Sequence, residues 1–217
     1  MDFAAIEKNH QAFKVAPNLA DYGRCCAEFS WTGAARELNG GADTSRLNIA
    51  ACAVDRHAAS ARALHLALRW LGKQGEVLDF PDAALRRLGN RFANVLRALG
   101  IGKGDRVFVL AGRIPELYIT ALGTLKNGSV FCPLFSAFGP EPIQQRLTIG
   151  EGNVLVTTET LYQRRKIDEL RRALPALKHV LVIGSGAMSA APDTENFHEL
   201  MHSASESLVA ETTQAED

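Results

Sequence analysis

Four short apolar runs recur from residue 106 onward at a nearly constant interval, and this regularity restricts the possible folds more than any other feature. The runs begin at Arg106, Ser129, Asn153 and His179, which lie 23, 24 and 26 residues apart, and each gap carries a helical pattern. Nearly continuous apolar runs that alternate with helices are typical of a parallel sheet covered on both faces. The sequence therefore predicts an α/β fold with a mostly parallel sheet covered by helices. In such folds ligands bind at the carboxyl edge of the sheet.

Helix and turn signals support this pattern. Pro115 and Pro140 are each followed by glutamate, which places proline at the first helical position and an acid beside the positive end of the helix dipole. Apolar residues within residues 81–99 recur every three or four positions and predict an amphipathic helix. Residues 72–76 resemble the turn of a hairpin.

Three stretches of different composition suggest the domain organisation. Residues 1–47 are expected to form an N-terminal extension of short helices and coil, and residues 48–184 to form the α/β domain. Residues 186–217 contain seven acidic residues and neither lysine nor arginine, which leaves a net charge of +7 on the rest of the chain. We therefore expect residues 185–217 to be an acidic linker with one helix and a loose tail.

Composition and local sequence exclude several functional classes. Lys+Arg and Asp+Glu both number 24, so no basic excess points to a nucleic-acid partner. The longest apolar stretches are about half the length of a membrane span, and the polar N-terminus is unlike a signal peptide. The four cysteines contain no CxxC pair, which favours a reducing, cytoplasmic setting.

One motif has the spacing of a zinc site. His198, Glu199 and His202 match HExxH, which on a helix places two imidazoles one turn apart, with a glutamate that could activate water. The buried stripe of this helix is formed by other residues, and the histidines only flank it. A third ligand and a cleft would also be needed, so a coincidental match on a surface helix is the favoured interpretation.

Two further patterns have ordinary structural explanations. Gly184 and Gly186 follow a predicted strand, but the residues after them cannot open the helix that a dinucleotide-binding loop requires. Residues 162–166, with Arg171 and Arg172, form a basic helix face. A solvated surface is the usual meaning of such a face, and a phosphate site is the alternative. The sequence contains neither GxxxxGK[ST] nor GxSxG.

A collinear set of segments carries a family resemblance. An apolar helix ends in Asp55-Arg56-His57, a helix and connector occupy residues 88–107, a second helix occupies residues 114–128, and a strand–loop–helix junction occupies residues 133–141. Together these segments resemble the AMP-forming acyl-CoA synthetases, and specifically the acetyl-CoA synthetase branch of the adenylate-forming superfamily. The resemblance extends over about residues 20–217, and its specificity is in the set rather than in any one segment.

The resemblance also implies a set of cofactor-binding residues. In relatives, the loop matching residues 135–138 borders the pantetheine arm of CoA and the nucleotide, and its middle pair is commonly two glycines, where this chain has serine and alanine. Arginines after the third strand hold CoA phosphates in some relatives, although Gln163 and Lys166 lie at the closer aligned positions. No catalytic residue and no metal ligand is assigned. The implied cofactor-binding residues are Phe135, Ser136, Ala137, Arg164, Arg165 and Lys166.

The function implied by the resemblance is that of the N-terminal portion of an AMP-forming acetyl- or short-chain acyl-CoA synthetase. Such an enzyme converts ATP, a carboxylate and CoA into acyl-CoA, AMP and pyrophosphate, with Mg. The phosphate loop and catalytic lysine of relatives follow the matching segments, so we expect this chain to be inactive alone and to bind none of these cofactors tightly. The alternatives are a non-catalytic interaction or regulatory module and, through the HExxH helix, a zinc hydrolase.

The expected partners are small molecules, namely CoA and acetate or a short acyl acid. A sheet domain that packs against later segments in relatives should leave apolar surface uncovered in this chain, and such patches favour self-association. The sequence therefore predicts a homo-oligomer in solution.

Overall fold

The computed structural model describes residues 14–38, 47–184 and 193–214. The chain divides into two compact units, Met1–Thr44 and Ser45–Asp217. In the first unit, α1 (Tyr22–Glu28) and α2 (Trp31–Leu38) are short helices without buried residues. The Asp21 side chain caps α1 by accepting a hydrogen bond from the Arg24 amide at 2.9 Å, as is typical of an aspartate at this position.

The second unit begins with a helical segment and a hairpin. A π-helical turn, Ala51–Asp55, continues directly into α3 (Arg56–Ala58). Strands β1 (Leu66–Leu71) and β2 (Val77–Pro81) then pair antiparallel. The hairpin turn predicted at residues 72–76 is therefore confirmed. Helix α4 (Asp82–Ala98) follows directly, as the apolar spacing predicts. Just after this helix, Gly100 adopts the left-handed conformation with φ +74°. Glycine is common at this position because it adopts that conformation without strain.

The central sheet contains five parallel strands. They are β3 (Arg106–Leu110), β4 (Val130–Leu134), β5 (Val154–Thr158), β6 (His179–Ile183) and β7 (Glu195–Asn196), arranged in the order β4-β3-β5-β6-β7. Every neighbouring pair is parallel. The four strands predicted from the apolar rhythm are confirmed, and so is the α/β fold class. The fifth strand, β7, is an addition that the rhythm did not predict.

The remaining helices cover the two faces of this sheet. They are α5 (Pro115–Lys126), α6 (Pro140–Ile149), α7 (Glu159–Arg164), α8 (Ile167–Arg171) and α9 (Phe197–Ser203). Side chains of α4, α5 and α9 pack on one face in a core that includes Val107 and Val109, while those of α6, α7 and α8 pack on the other face with Phe108 and Leu110. Because successive strand residues point to opposite faces, β3 contributes to both cores, and it is apolar from Val107 to Leu110.

The segment after α9 runs along α4 as an extended strap (residues 205–213). Asn90 Nδ2 donates to the Glu206 carbonyl at 2.7 Å, Asn94 Nδ2 bonds two further strap carbonyls at 2.8 and 2.9 Å, and Arg97 Nη2 bonds another at 3.0 Å. These three side chains recur at the spacing of one helix face, so α4 holds the strap through its main chain. Residues 193–214 thus contribute a strand, a helix and this strap to the second unit. The division into residues 1–47, 48–184 and 185–217 remains a proposal.

Among the described residues, no helix combines the length and the apolar character that a membrane-spanning helix needs.

Candidate functional site

The loops that follow β3, β4 and β5 meet at one edge of the sheet. Leu110 is in register with both Leu134 and Thr157, and parallel strands end at the same side. The β4 loop, residues 135–138, therefore lies at the same carboxyl edge as Gly112 and Arg113. We call residues 135–138 the edge loop. This edge is where open parallel sheets bind ligands.

The edge loop is a closed turn that presents an aromatic ring. The Phe138 amide donates to the Phe135 carbonyl at 3.0 Å, and the two rings meet edge to face with centroids 5.6 Å apart. The Phe135 side chain is 65% exposed. Behind it, the guanidinium of Arg146 lies 4.1 Å from the centre of the Phe138 ring, close enough for a cation–π contact. Phe138 is therefore held on two sides, while Phe135 faces solvent.

The three predicted cationic residues occupy different environments at the junction of α7 and α8. Arg164 ends α7 and is exposed, Arg165 is half-buried, and Lys166 is exposed. Lys166 adopts a left-handed conformation with φ +53°, which turns the chain between the two short helices, and its Nζ lies 3.3 Å from the Glu169 carboxylate. Two of the three cations are thus exposed, and Lys166 is one half of an exposed ion pair.

The structure brings the two predicted groups of residues together through one hydrogen bond. Arg165 Nη2 donates to the main-chain carbonyl of Ser136 at 2.9 Å. Strands β4 and β5 are not neighbours, since β3 lies between them. The contact therefore joins the loop after β4 to the junction of the two helices that follow β5. Ala137, the remaining predicted residue, is exposed on the same loop. One hydrogen bond, from Arg165 to Ser136, therefore links the two groups of predicted residues.

Sequence reasoning missed Arg146 as a member of this region. Its guanidinium stacks on Phe138 and donates from Nη1 to the Pro142 carbonyl at 3.1 Å. The available signal was its position on α6, two helical turns after a loop already assigned to the ligand edge.

The titratable side chains near the sheet favour binding rather than proton transfer. Burial raises the pKa of the Cys132 thiol, with a smaller opposing effect from Arg106, and a thiol with a raised pKa is a poor nucleophile at neutral pH. Burial also raises the pKa of the Tyr162 phenol. The edge instead offers an exposed aromatic ring and exposed positively charged side chains. Groups of this kind are suited to binding an anion and do not themselves activate water.

The HExxH residues lie on α9. Phe197 and Met201 face the core, and the two histidines line an open groove of about 350 Å³ together with residues of β2, α4 and α5. His198 Nε2 lies 3.9 Å from the Glu116 carboxylate. Within the described part of the chain, no three His, Cys, Asp or Glu side chains are grouped so that they could hold a metal ion.

Comparison with known proteins identifies the family. Residues 58–217 match the family model described as AMP-binding enzyme. The acetyl-coenzyme A synthetase of Bacillus subtilis is 38% identical over 187 residues, which cover 85% of this chain and 30% of that enzyme. Among solved structures, the Brucella canis acyl-CoA synthetase superposes with a TM-score of 0.77 at 26% identity. The superposition covers 90% of this chain and 34% of the Brucella canis chain. The acetoacetyl-CoA synthetase from Streptomyces lividans superposes with a TM-score of 0.70 at 30% identity. This superposition covers 78% of this chain and 27% of the Streptomyces lividans chain.

The chain thus spans about a third of the length of these relatives. Its five-stranded parallel sheet, the helices on both faces and the loops at the carboxyl edge lie within the matched region. The family resemblance inferred from the collinear segments is confirmed, and the chain belongs to the AMP-binding enzyme family.

Proposed function

We propose that the chain is the N-terminal portion of an AMP-forming acetyl- or short-chain acyl-CoA synthetase. The whole enzyme would join ATP and a carboxylate into an acyl-adenylate, release pyrophosphate, and pass the acyl group to the thiol of CoA. The names of the three reported relatives support an acyl-CoA ligase. Acetate is proposed first because the Bacillus subtilis relative is named an acetyl-coenzyme A synthetase.

The observation that carries the proposal for this part of the enzyme is the contact between the edge loop and the α7–α8 junction. Arg165, which lies between Arg164 and Lys166 in the chain, bonds to Ser136, the residue after the exposed Phe135, and this supports one site made of both segments. An elongated ligand with an apolar arm and several phosphates matches this arrangement, and CoA has that chemistry. When bound, CoA supplies the thiol that accepts the acyl group. In this chain, Phe135 would contact the arm, while Arg164 and Lys166 would hold phosphate oxygens.

ATP and Mg are assigned to the complete enzyme, and none of the described residues is assigned to either. In-line attack on the α-phosphate requires fixed cations and backbone donors around the triphosphate, and the resemblance locates those donors after the matched segments.

Setting and assembly complete the proposal. We place the protein in the cytoplasm, because all four cysteines are free thiols and disulfides are rare in that compartment.

We also propose a homo-oligomer without a nucleic-acid or membrane partner. Large apolar side chains such as Leu71 and Val77 of the hairpin are more than half exposed, which supports self-association.

Titration of the isolated chain with CoA, followed by amide chemical shifts, tests the proposed site. We expect saturable shifts in the edge loop and the α7–α8 junction with a Kd of roughly 1 mM, equivalent to about 4 kcal/mol. Rising ionic strength should weaken CoA binding but not pantetheine binding, because pantetheine has no phosphates to be screened. Lys166→Met should weaken CoA binding, and the matched Lys73→Met variant in the hairpin turn should not. Shifts scattered over the surface, or equal effects of the two variants, would contradict the proposed site.

A further inference from the structure

We infer that Arg165 is a positioning residue, which fixes the edge loop through the Ser136 carbonyl rather than contacting the phosphates of the ligand. The inference rests on the proposed CoA site and changes the role of one of its predicted residues. It separates the three consecutive cations into two exposed groups, Arg164 and Lys166, and one half-buried group, Arg165, that is bonded to the edge loop.

The first argument is the geometry of the contact. Arg165 Nη2 lies 2.9 Å from the Ser136 carbonyl oxygen, a normal distance for a charge-assisted hydrogen bond. The bond links residues 29 positions apart and joins the loop after β4 to the α7–α8 junction. A contact that joins two separate segments restrains their separation, whereas a contact within one loop would not.

The second argument is that the edge loop has few other restraints on its exposed side. Phe138 is held by Arg146 and by the turn hydrogen bond to the Phe135 carbonyl. Phe135 and Ala137 are exposed, and the Ser136 carbonyl is the loop group that Arg165 reaches. The Phe135 ring projects from the residue just before this bond, so the Arg165 side chain restrains the backbone that carries the ring.

The third argument is the partial burial of the Arg165 side chain. The residue is half-buried, and its Nε atom is shielded from solvent. The lower local dielectric strengthens a charge-assisted hydrogen bond made beside that atom. A side chain held in this way is suited to fixing a loop. An exposed cation such as Arg164 is suited to meeting a phosphate.

The test compares Arg165→Met, Arg165→Lys and Arg172→Met by amide exchange in the free chain. Loss of one charge-assisted hydrogen bond should raise the exchange rate of the Phe138 amide about tenfold in Arg165→Met. Arg165→Lys keeps a single donor and should restore part of the protection. Arg172 is an exposed arginine at the end of α8, and its methionine variant is the matched control. An unchanged Phe138 amide in a folded Arg165→Met variant would overturn the positioning role.

A ligand titration of the same variants separates positioning from direct contact. If Arg165 acts through the loop, Arg165→Met weakens CoA and pantetheine by the same factor and leaves the salt dependence of CoA binding unchanged. If it contacted a phosphate, the variant would weaken CoA alone and reduce that salt dependence, which would contradict the inference. Should the unaltered chain bind neither ligand, the proposed CoA site fails, while the exchange of the Phe138 amide still decides whether Arg165 fixes the loop.

Discussion

The Asp55→Ala variant is expected to lose about 3–5 kcal/mol of unfolding free energy, because it leaves a buried lysine without its counter-ion. The Lys126 side chain is fully buried, and its Nζ lies 2.5 Å from Asp55 Oδ1, 2.7 Å from Asn90 Oδ1 and 3.2 Å from the Arg86 carbonyl. This cluster joins α5 and α4 to the π-helical turn that Asp55 ends. Urea unfolding of the variant, followed by circular dichroism, measures the loss.

The same cluster predicts a pH dependence. Burial lowers the pKa of Lys126, and Asp55 partly opposes that shift. Removing Asp55 should lower this pKa further. Between the folded pKa and the unfolded value near 10.5, the unfolded chain binds more protons than the folded one, so stability rises with pH. The deficit of Asp55→Ala should therefore shrink as the pH is raised towards 10.5.

Two controls make this prediction specific. In the double variant Asp55→Ala, Lys126→Met, the charge and its partner are both absent, so much of the lost stability should return. Asp79→Ala removes a carboxylate from the exposed pair with Arg69, whose separation is 2.7 Å, and should have only a minor effect. Equal losses in Asp55→Ala and Asp79→Ala would show that Lys126 is not held as described.

The Phe197→Ala variant is expected to lose a similar 3–5 kcal/mol, which is typical for a buried phenylalanine. The Phe197 ring is 2% exposed and stacks on Phe92 with centroids 5.6 Å apart. Phe197 begins α9, so its loss should loosen the contact of α9 with α4 and the sheet. Phe135→Ala removes a ring that is 65% exposed and is the matched control, with a change of less than about 0.5 kcal/mol.

Thermal and urea unfolding of both phenylalanine variants measure this difference. A large loss for Phe197→Ala would show that residues 193–214 are part of the folded α/β unit. If the two variants unfold alike, the C-terminal segment contributes nothing to the core, and the packing of α9 described here is wrong.

The sheet could be predicted because its signal is local. Strands β3 to β6 are mostly apolar, and β3, β5 and β6 are buried over most of their length. Periodicity and helix-start signals therefore located the strands within a residue or two. Strand β7 has no such signal, because it consists of Glu195 and Asn196. It pairs with β6 through Leu181 and Val182, and its Glu195 Oε1 lies 2.8 Å from His179 Nδ1 of the same neighbouring strand.

Contacts between distant residues were beyond prediction from one sequence. Lys126 has the sequence position of an ordinary basic residue at a helix end, and only the fold shows that it reaches Asp55, 71 positions away. Similarly, the sequence could assign Arg165 to the ligand edge through the family resemblance, but it could not separate its role from those of Arg164 and Lys166. That separation depends on burial and on one hydrogen bond.

The most direct test of the proposed function is acetate-dependent exchange of labelled pyrophosphate into ATP, measured with magnesium in two proteins. The isolated chain should give no label above a control without acetate. A chimera in which residues 45–217 replace the aligned part of the Bacillus subtilis acetyl-coenzyme A synthetase should carry out exchange and form acetyl-CoA. In that chimera, Phe135→Ala and Lys166→Met should preserve exchange, which needs no CoA, and slow thioester formation. Exchange by the isolated chain, or a folded chimera without either activity, would contradict the assignment of this chain as the N-terminal, CoA-binding part of an acyl-CoA synthetase.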